Sequence, residues 1–279
     1  MTPPTETDRP AIEAFLRKHI ATSMFPLSNL RQHGMAGGHP RAMRFWARWQ
    51  AGEITDLLPV SEEGMVFPQC PTGPWGDVRA VLAGMGVKGI LGEGAQVAAL
   101  RGALDLIGTP GIDEEEPLYK LPLGDLAMLD CSGFTLRPLS AAPLDLIIQW
   151  RVAYLAQVFP IPGEDPAEQA ARDIAGYLER DSHRVLLQGD TPVAMTGFNA
   201  TLPEAAQIGG VYTPPALRSR GLARRAVALH LAEARDRGVE TAILFAASPQ
   251  ASKAYEAIGF TRIGSYTICV YPEPQLVHV

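Results

Sequence analysis

The chain has 279 residues, of which 47% are apolar and 19% are charged, and its formal net charge is −6. Few charges combined with a mean hydropathy of +0.03 exclude a disordered chain, and the length predicts about two domains. A chain-wide acidic balance lacks the basic footprint of a nucleic-acid-binding protein, so we expect no nucleic-acid partner.

Three widely spaced cysteines form neither a disulfide framework nor a metal-ligand pattern, and the six histidines show no clustered ligand spacing. The first ten residues, MTPPTETDRP, lack the basic and apolar regions of a signal peptide. No apolar run approaches the roughly 18 residues that a membrane helix needs. We therefore expect a cytoplasmic protein with no membrane partner and no bound metal.

Hydrophobic periodicity in the N-terminal half predicts strands, a helix, a strand and a helix. The predicted elements are a helix over 11–20, short strands within 39–70, a helix over 75–83, a strand at 89–92, a helix over 94–106 and an acidic, turn-rich stretch at 108–117. The segment PLGDLAMLDCSG (122–133) is the best candidate for a domain boundary. The sequence thus predicts domains over 1–132 and 133–279.

The C-terminal half has the same order of elements, although no tandem repeat is visible in the residues. The predicted elements are a strand over 134–139, helices over 141–159 and 167–181, a hairpin over 183–201, a strand over 205–213, a helix over 219–238, a strand over 241–247, a helix over 249–259 and a strand over 261–271. Alternating strands and helices of this kind predict an α/β or α+β fold.

A short loop with Arg218 and Gly221 joins the strand over 205–213 to the long helix that follows. The first amides of a helix lack intrahelical partners and, with the macrodipole, form an anion site. Arg218, Arg220, Arg224 and Arg225 fall in a stretch without any acidic residue. Four arginines at a helix start oppose the macrodipole. Solvated surface arginines are the alternative, but a bound anion explains this placement better.

Two motifs in the C-terminal half resemble those of the GNAT acetyltransferases. RSRGLA (218–223) resembles the pattern Arg/Gln-x-x-Gly-x-Gly/Ala, and SPQASKAYEAIGF (248–260) resembles a second motif further along the chain. Positions that match the second motif are Ala251, Tyr255, Gly259 and Phe260, while Ser248 stands where the family usually has Asn. The resemblance covers about 134–271.

This resemblance implies two GNAT-like domains, each with a mixed, mostly antiparallel sheet flanked by helices. It also implies an N-acyltransferase that takes acetyl-CoA as co-substrate and needs no metal. Acetyl-CoA would lie between the strands over 205–213 and 241–247. Backbone groups of Val211, Tyr212 and Thr213 would pair with its pantetheine arm. The pyrophosphate would be held beside Arg218 by the amides of Ser219, Arg220, Gly221, Leu222, Ala223 and Arg224.

The resemblance further implies that Tyr255 faces the sulfur and protonates the leaving thiolate. The alternative is a core tyrosine at helical spacing with Ile258, and the register with Gly259 and Phe260 favours the catalytic interpretation. Ser248 retains the chemistry for a hydrogen bond to coenzyme A.

The general base is less defined. Glu204 precedes the motif strand and is a candidate for the base. Alternatively, Glu204 is an acidic loop residue with no catalytic role, or a water relay accepts the proton. The acceptor would be an amine of a small molecule or a peptide. Trp150, Tyr154 and Phe159 are candidates for its pocket, with a core role as the alternative. Neither the oligomeric state nor the acceptor's identity follows from the sequence.

Two further interpretations complete the prediction. A coenzyme A-binding sensor or partner protein without turnover is the alternative function, against which the presence of Tyr255 weighs. The N-terminal half lacks the arginine motif and is interpreted as a degenerate GNAT-like domain. GMGVKG (84–89) fits a dinucleotide-binding pattern, but it precedes a strand instead of following one, so we interpret it as turns.

Overall fold

The computed structural model describes residues 1–158 and 165–278 and divides into two compact units. Unit 1 consists of Met1–Glu116 and Gly264–Val279, and unit 2 consists of Pro117–Ile263. Within the described ranges, no helix combines the length and the apolarity required to cross a bilayer.

The helices and strands follow one another much as the sequence predicts. The helices are α1 (Arg9–Lys18), α2 (Ile20–His33), α3 (Trp75–Leu82), α4 (Gly94–Leu104), α5 (Leu144–Val158), α6 (Pro166–Glu179), α7 (Leu222–Asp236) and α8 (Pro249–Glu256). The strands are β1 (Met43–Gln50), β2 (Glu53–Ser61), β3 (Met65–Val66), β4 (Gly86–Glu93), β5 (Ile112–Pro122), β6 (Phe134–Pro138), β7 (His183–Gln188), β8 (Thr191–Thr201), β9 (Ala205–Tyr212), β10 (Thr241–Phe245) and β11 (Thr261–Leu276).

Unit 1 is built on strands in the order β1-β2-β3-β4-β11, all antiparallel except for the parallel pair β3 and β4. Its helices contribute apolar side chains to a core with the sheet; Val78 and Leu82 of α3 meet Val97 and Leu100 of α4 there. GMGVKG lies on the turn before β4 and within that strand. It therefore does not follow a strand, as a dinucleotide-binding motif would.

Unit 2 has strands in the order β5-β10-β9-β8-β7-β6, again antiparallel except for one pair, β9 and β10. One face of the sheet packs against α7 and α8, and the core there includes Ile208, Val227, Leu231 and Leu244. The other face packs against α5 and α6, where Trp150 and Ile174 meet Val185. The predicted mixed, mostly antiparallel sheet with flanking helices is confirmed.

Two predictions about single elements were wrong. The sequence predicts one helix over 11–20, but α1 is followed at once by α2, which contains Pro26 and buries Met24, Leu27 and Leu30. The acidic stretch at 108–117 is predicted as turns, but β5 begins at Ile112. Strand propensity is weak for acidic residues, and neighbouring strands supply the hydrogen bonds that hold them extended.

The compact units also differ from the division predicted at 132/133. Residues 117–132 belong to unit 2 because the second half of β5 pairs with β10, from Leu118 opposite Phe245 to Pro122 opposite Thr241. The last residues of the chain belong to unit 1 because β11 pairs with β4. Local sequence patterns carry no information on such long-range pairing.

Candidate active site

The two parallel strands of unit 2 separate partway along their length. Three residue pairs join β9 to β10, and the last is Gln207 opposite Ile243. Beyond this pair, β9 continues to Tyr212 and β10 to Phe245. The edge of β9 from Ile208 onward therefore offers backbone N–H and C=O groups that β10 does not pair. This opening lies where the sequence predicts the pantetheine arm.

A bulge in β9 lies within this opening. Gly209 is opposite Gly197 of β8 and Tyr212 is opposite Met195, so three steps along β9 match two along β8. Gly210 adopts a φ of +62°, which favours glycine. Bulges bend a strand and turn backbone groups out of the ladder. Here the groups concerned border the gap between β9 and β10.

The loop that follows β9 leads into α7 with two residues in left-handed conformation. Ser219 has a φ of 62° and Gly221, the N-cap residue of α7, has a φ of 72°. No side chain caps the helix at Gly221, so the first amides of α7 are left for another acceptor. Left-handed residues at a turn help backbone N–H groups to form an anion-binding concavity.

The arginines of this loop bond to neutral oxygens. Arg218 donates to the Thr213 carbonyl at 3.0 Å and to Gln157 Oε1 at 2.8 Å. Arg225 donates to the carbonyls of Asp130 and Arg220 at 2.9 and 3.0 Å. Within the described part of the chain, none of Arg218, Arg220, Arg224 and Arg225 forms an ion pair with a carboxylate. Their positive charge is left to attract an anion.

Two buried polar atoms beside the loop have no hydrogen-bond partner among the described residues: Arg224 Nε and Thr213 Oγ1. A Cβ atom at Gly221 would lie 2.9 Å from Arg224 Nε and 2.9 Å from a terminal nitrogen of Arg225. The glycine thus keeps the backbone and the guanidinium groups close together. Uncapped amides, an unpartnered guanidinium nitrogen and a missing side chain fit a phosphate group.

Tyr255 lies on α8, which begins shortly after β10 ends. Its side chain is 8% exposed and packs edge-on against Phe260, with 6.0 Å between ring centroids. It shares an apolar cluster with Leu244 of β10 and with the partly buried Val211 of β9. Tyr255 is therefore buried, as the core interpretation expects, in an apolar cluster that also includes residues of the two strands that separate.

Two neighbouring motif residues have structural functions. Ser248 is the N-cap of α8, and its Oγ accepts a hydrogen bond from the amide of Ala251 at 3.1 Å. Gly259 has a φ of +106°, and a Cβ there would lie 2.9 Å from the Asp125 carbonyl. Helix capping explains Ser248, and the close approach of the Asp125 backbone explains Gly259, so neither motif position requires a ligand.

Glu204 lies at the paired end of β9. Its backbone carbonyl accepts hydrogen bonds from the amides of Glu240 and Thr241, both at 3.1 Å. Ile208, the first residue past the last β9–β10 pair, is four residues away, roughly 13 Å along an extended strand. The backbone of Glu204 is thus remote from the opening, and we assign it no part in the reaction proposed below.

The aromatic candidates for an acceptor pocket have core contacts. Trp150 is buried against Tyr212, and Tyr154 packs on the same cluster. Phe159 lies outside the described residues. The sequence analysis missed Gln157, which binds Arg218, and the Gly209–Gly210 bulge. Two consecutive glycines inside a strand are the signal that was available, since glycine in a strand often marks a bulge.

Comparison with known proteins finds a family model that matches the residues of this site. Residues 145–260 match the model of the acetyltransferase (GNAT) family. An acetyltransferase from Agrobacterium fabrum is 40% identical over 55 residues, which is 20% of this chain and 40% of that protein. The matched segment therefore covers less than half of this relative.

Solved structures share the fold over nearly the whole chain. A Drosophila protein has a TM-score of 0.63 at 16% identity and covers 97% of this chain and 98% of its own. A GCN5-related N-acetyltransferase from Kribbella flavida has a TM-score of 0.53 at 16% identity, covering 91% and 95%. A tandem GNAT protein from the clavulanic acid biosynthesis pathway has a TM-score of 0.52 at 12% identity, covering 98% and 97%. The segment with the separated strands, the arginine loop and Tyr255 thus lies within the residues that match the acetyltransferase (GNAT) family model.

Proposed function

We propose that unit 2 transfers an acetyl group from acetyl-CoA to an amine of a small molecule or peptide, by direct attack in a ternary complex. The observation that carries the proposal is the continuous polar edge from Ile208 to the uncapped start of α7. That edge ends in a loop whose arginines lack carboxylate partners. A ligand with an extended amide arm and a terminal pyrophosphate matches both parts of this edge.

The backbone and side chains would divide the binding between them. Unpaired backbone groups of Val211 and Tyr212 would form hydrogen bonds with the amides of the pantetheine arm. The arm would then lie along the sheet edge like an added strand. Thr213 contributes less, because its carbonyl already accepts from Arg218. The amides from Ser219 to Arg224 would hold the pyrophosphate, and the arginines would attract it. Since Ser248 Oγ caps α8, we expect at most a secondary contact from it.

In the proposed reaction, the amine nitrogen bonds to the thioester carbon and the carbon–sulfur bond breaks. The sulfur leaves as a thiolate and takes a proton from the hydroxyl of Tyr255. The attacking nitrogen loses one proton as the amide forms, and that proton passes through water and restores the hydroxyl of Tyr255. A phenol with a pKa near 10 is a weaker acid than a thiol near 8.5, so full transfer in water is uphill by about 2 kcal/mol. Burial in the apolar cluster disfavours the phenolate of Tyr255 as well as the thiolate, so the reaction requires that the amine's proton restore the hydroxyl of Tyr255.

The test measures binding and turnover separately. Isothermal titration with acetyl-CoA reports binding, and a thiol-detecting reagent reports release of coenzyme A across a panel of amines. We expect micromolar binding and release that depends on one class of amine. Binding without release on any amine would favour the alternative, a coenzyme A-binding sensor. Absence of binding would refute both.

A further inference from the structure

A buried imidazole lies against the bulge of β9. His183 begins β7 and is fully buried, and its ring stacks on Tyr177 with 3.5 Å between centroids. Its Nδ1 lies 3.0 Å from Ser182 Oγ. Its Nε2 is buried and has no hydrogen-bond partner among the described residues. A fully buried polar atom without a partner is rare and calls for a reason.

Glycines on two neighbouring strands make room for this ring. His183 is opposite Gly197 of β8, and Gly197 is opposite Gly209 of β9. A Cβ at Gly197 would overlap the imidazole, and a Cβ at Gly210 would lie 2.6 Å from Nε2. The imidazole therefore crosses β8 and places Nε2 against the backbone of Gly210. That residue has the left-handed φ of the bulge.

The surroundings keep this ring neutral. Burial, together with the positive charges of Arg151, Arg180 and Arg184 and the nearby His230, lowers the pKa of His183 well below its ordinary value. A neutral imidazole has one donor and one acceptor nitrogen. Nδ1 pairs with Ser182 Oγ, and Nε2 lies against the backbone of Gly210 without a hydrogen-bond partner among the described residues.

We propose that His183 is a positioning residue for the acetyl-CoA site, which acts through Gly210 by fixing the direction of the bulge peptides in β9. This inference rests on the proposed function of unit 2. The bulge lies on the part of β9 that β10 does not pair. A rotation of the Gly210 peptide moves the N–H and C=O groups offered to the pantetheine arm.

A second buried histidine provides a matched control. His230 on α7 is 1% exposed, stacks on Phe198 at 3.9 Å and has an unpartnered Nδ1. Burial lowers its pKa to about 3. It lies on α7, and its ring is not among the nearest atoms to a Cβ placed at Gly197, Gly209 or Gly210. Replacing either histidine by Phe removes buried ring nitrogens and keeps an aromatic ring for stacking.

The experiment titrates coenzyme A into the wild type, His183→Phe and His230→Phe, and records thermal unfolding of each. We expect His183→Phe to weaken binding by about tenfold or more, and His230→Phe to stay within about twofold. Gly210→Ala is expected to weaken binding similarly. The double variant His183→Phe/Gly210→Ala should lose less affinity than the product of the two single fold-losses, because both substitutions act on one bulge.

The outcomes separate the two proposals. If the wild type binds coenzyme A and His183→Phe binds equally well, the positioning role is refuted while the proposed function stands. If the wild type does not bind coenzyme A, the proposed function fails and this inference fails with it. Should His183→Phe not fold, His183→Gln replaces it, since its amide offers a polar group to the bulge. Binding by His183→Gln that is as weak as that of Gly210→Ala would also refute the role of the ring nitrogen.

Discussion

Units 1 and 2 both contain a strand, a loop, a helix and a second strand parallel to the first. In unit 1 these are β3, α3 and β4, and in unit 2 they are β9, α7 and β10. In unit 1, β3 has only two residues, and both pair with β4. In unit 2, β9 has eight residues, and pairing with β10 stops after Gln207. Only the longer strand leaves an unpaired edge.

The loops that follow the two first strands differ in their chemistry. In unit 1, the fully buried carboxylate of Asp56 accepts hydrogen bonds from the amide and hydroxyl of Thr72, at 2.9 and 2.7 Å. Gln96 Oε1 accepts from the amide of Cys70. The loop of unit 1 is thus held by side chains of its own unit, one of them negative.

The first turns of the helices also carry more negative charge in unit 1 than in unit 2. The first turn of α3 carries Asp77, and the carboxylate of Glu93 caps the first amides of α4. The start of α7 has neither a capping side chain nor an acidic residue in its first turn. Parallel strands joined by a helix therefore do not make an anion site by themselves. The anion site proposed for unit 2 differs in having helix amides that no side chain caps.

The largest expected effect is on turnover and concerns Tyr255 of unit 2. Tyr255→Phe removes only the hydroxyl and should lower turnover by roughly 10²–10⁴-fold, the usual scale for a lost proton donor. Affinity for acetyl-CoA should stay within about twofold of the wild type. Steady-state kinetics on an active amine and titration with acetyl-CoA measure the two quantities.

The control for this prediction is Tyr119→Phe. Tyr119 lies in the same apolar cluster, is 2% exposed and donates its hydroxyl to Glu256 at 2.8 Å. Its loss should reduce stability by about 1 kcal/mol and leave turnover nearly unchanged. A fall of less than about tenfold for Tyr255→Phe would mean that water protonates the thiolate.

Charge reversal in the loop before α7 should give unit 2 a negatively charged loop, as in unit 1. Arg218→Glu combined with Arg220→Glu is expected to weaken acetyl-CoA binding by about 100-fold, because two favourable contacts to an anion become repulsive. Isothermal titration measures the loss. Arg235→Glu with Arg237→Glu makes the same charge change at the other end of α7 and should leave affinity nearly unchanged. Equal affinities for both double variants would contradict the assignment of the loop.

Removal of the buried carboxylate should affect stability and leave coenzyme binding intact. Asp56→Ala leaves the Thr72 donors in unit 1 without their acceptor, which should lower the free energy of unfolding by about 3 kcal/mol. Thr72→Val deletes one of the two donors and should cost about half as much. Urea denaturation monitored by tryptophan fluorescence gives both values. Reduced acetyl-CoA affinity in folded Asp56→Ala would show that the two loops are not independent.

The smallest expected effect concerns the pH dependence of stability. Burial and the nearby Glu114 carboxylate raise the pKa of Glu116 from its ordinary 4.5 to about 7. The folded state then binds more protons than the unfolded state between these values, so stability falls as pH rises from about 4.5 to about 7. Glu116→Gln removes this loss and should be more stable than the wild type above pH 7, by at most about 3 kcal/mol.

Thermal unfolding across pH 4–8 measures this effect. Glu53→Gln, which makes the same change at the exposed first residue of β2, serves as the control. If the wild type and Glu116→Gln lose stability in parallel as pH rises, the carboxyl of Glu116 is not the group that titrates.

Local patterns in the sequence were enough for most elements of unit 2. Apolar periodicity predicted a hairpin over 183–201 and a helix over 219–238, which the structure has as β7, β8 and α7. The arginine loop was predicted as well, because its evidence is contiguous: a helix start, a glycine and basic residues within a few positions.

Tertiary structure decided what depends on residues far apart in the chain. The strand character of the acidic residues in β5, which lies beside β11 in the sheet, and the place of β11 in unit 1 follow from hydrogen bonds between segments more than 100 residues apart. The position of Glu204 at the closed end of β9, and of His183 against Gly210, follows from strand register. Sequence periodicity reports which face a residue occupies, but only the packed sheet determines which residue lies opposite it.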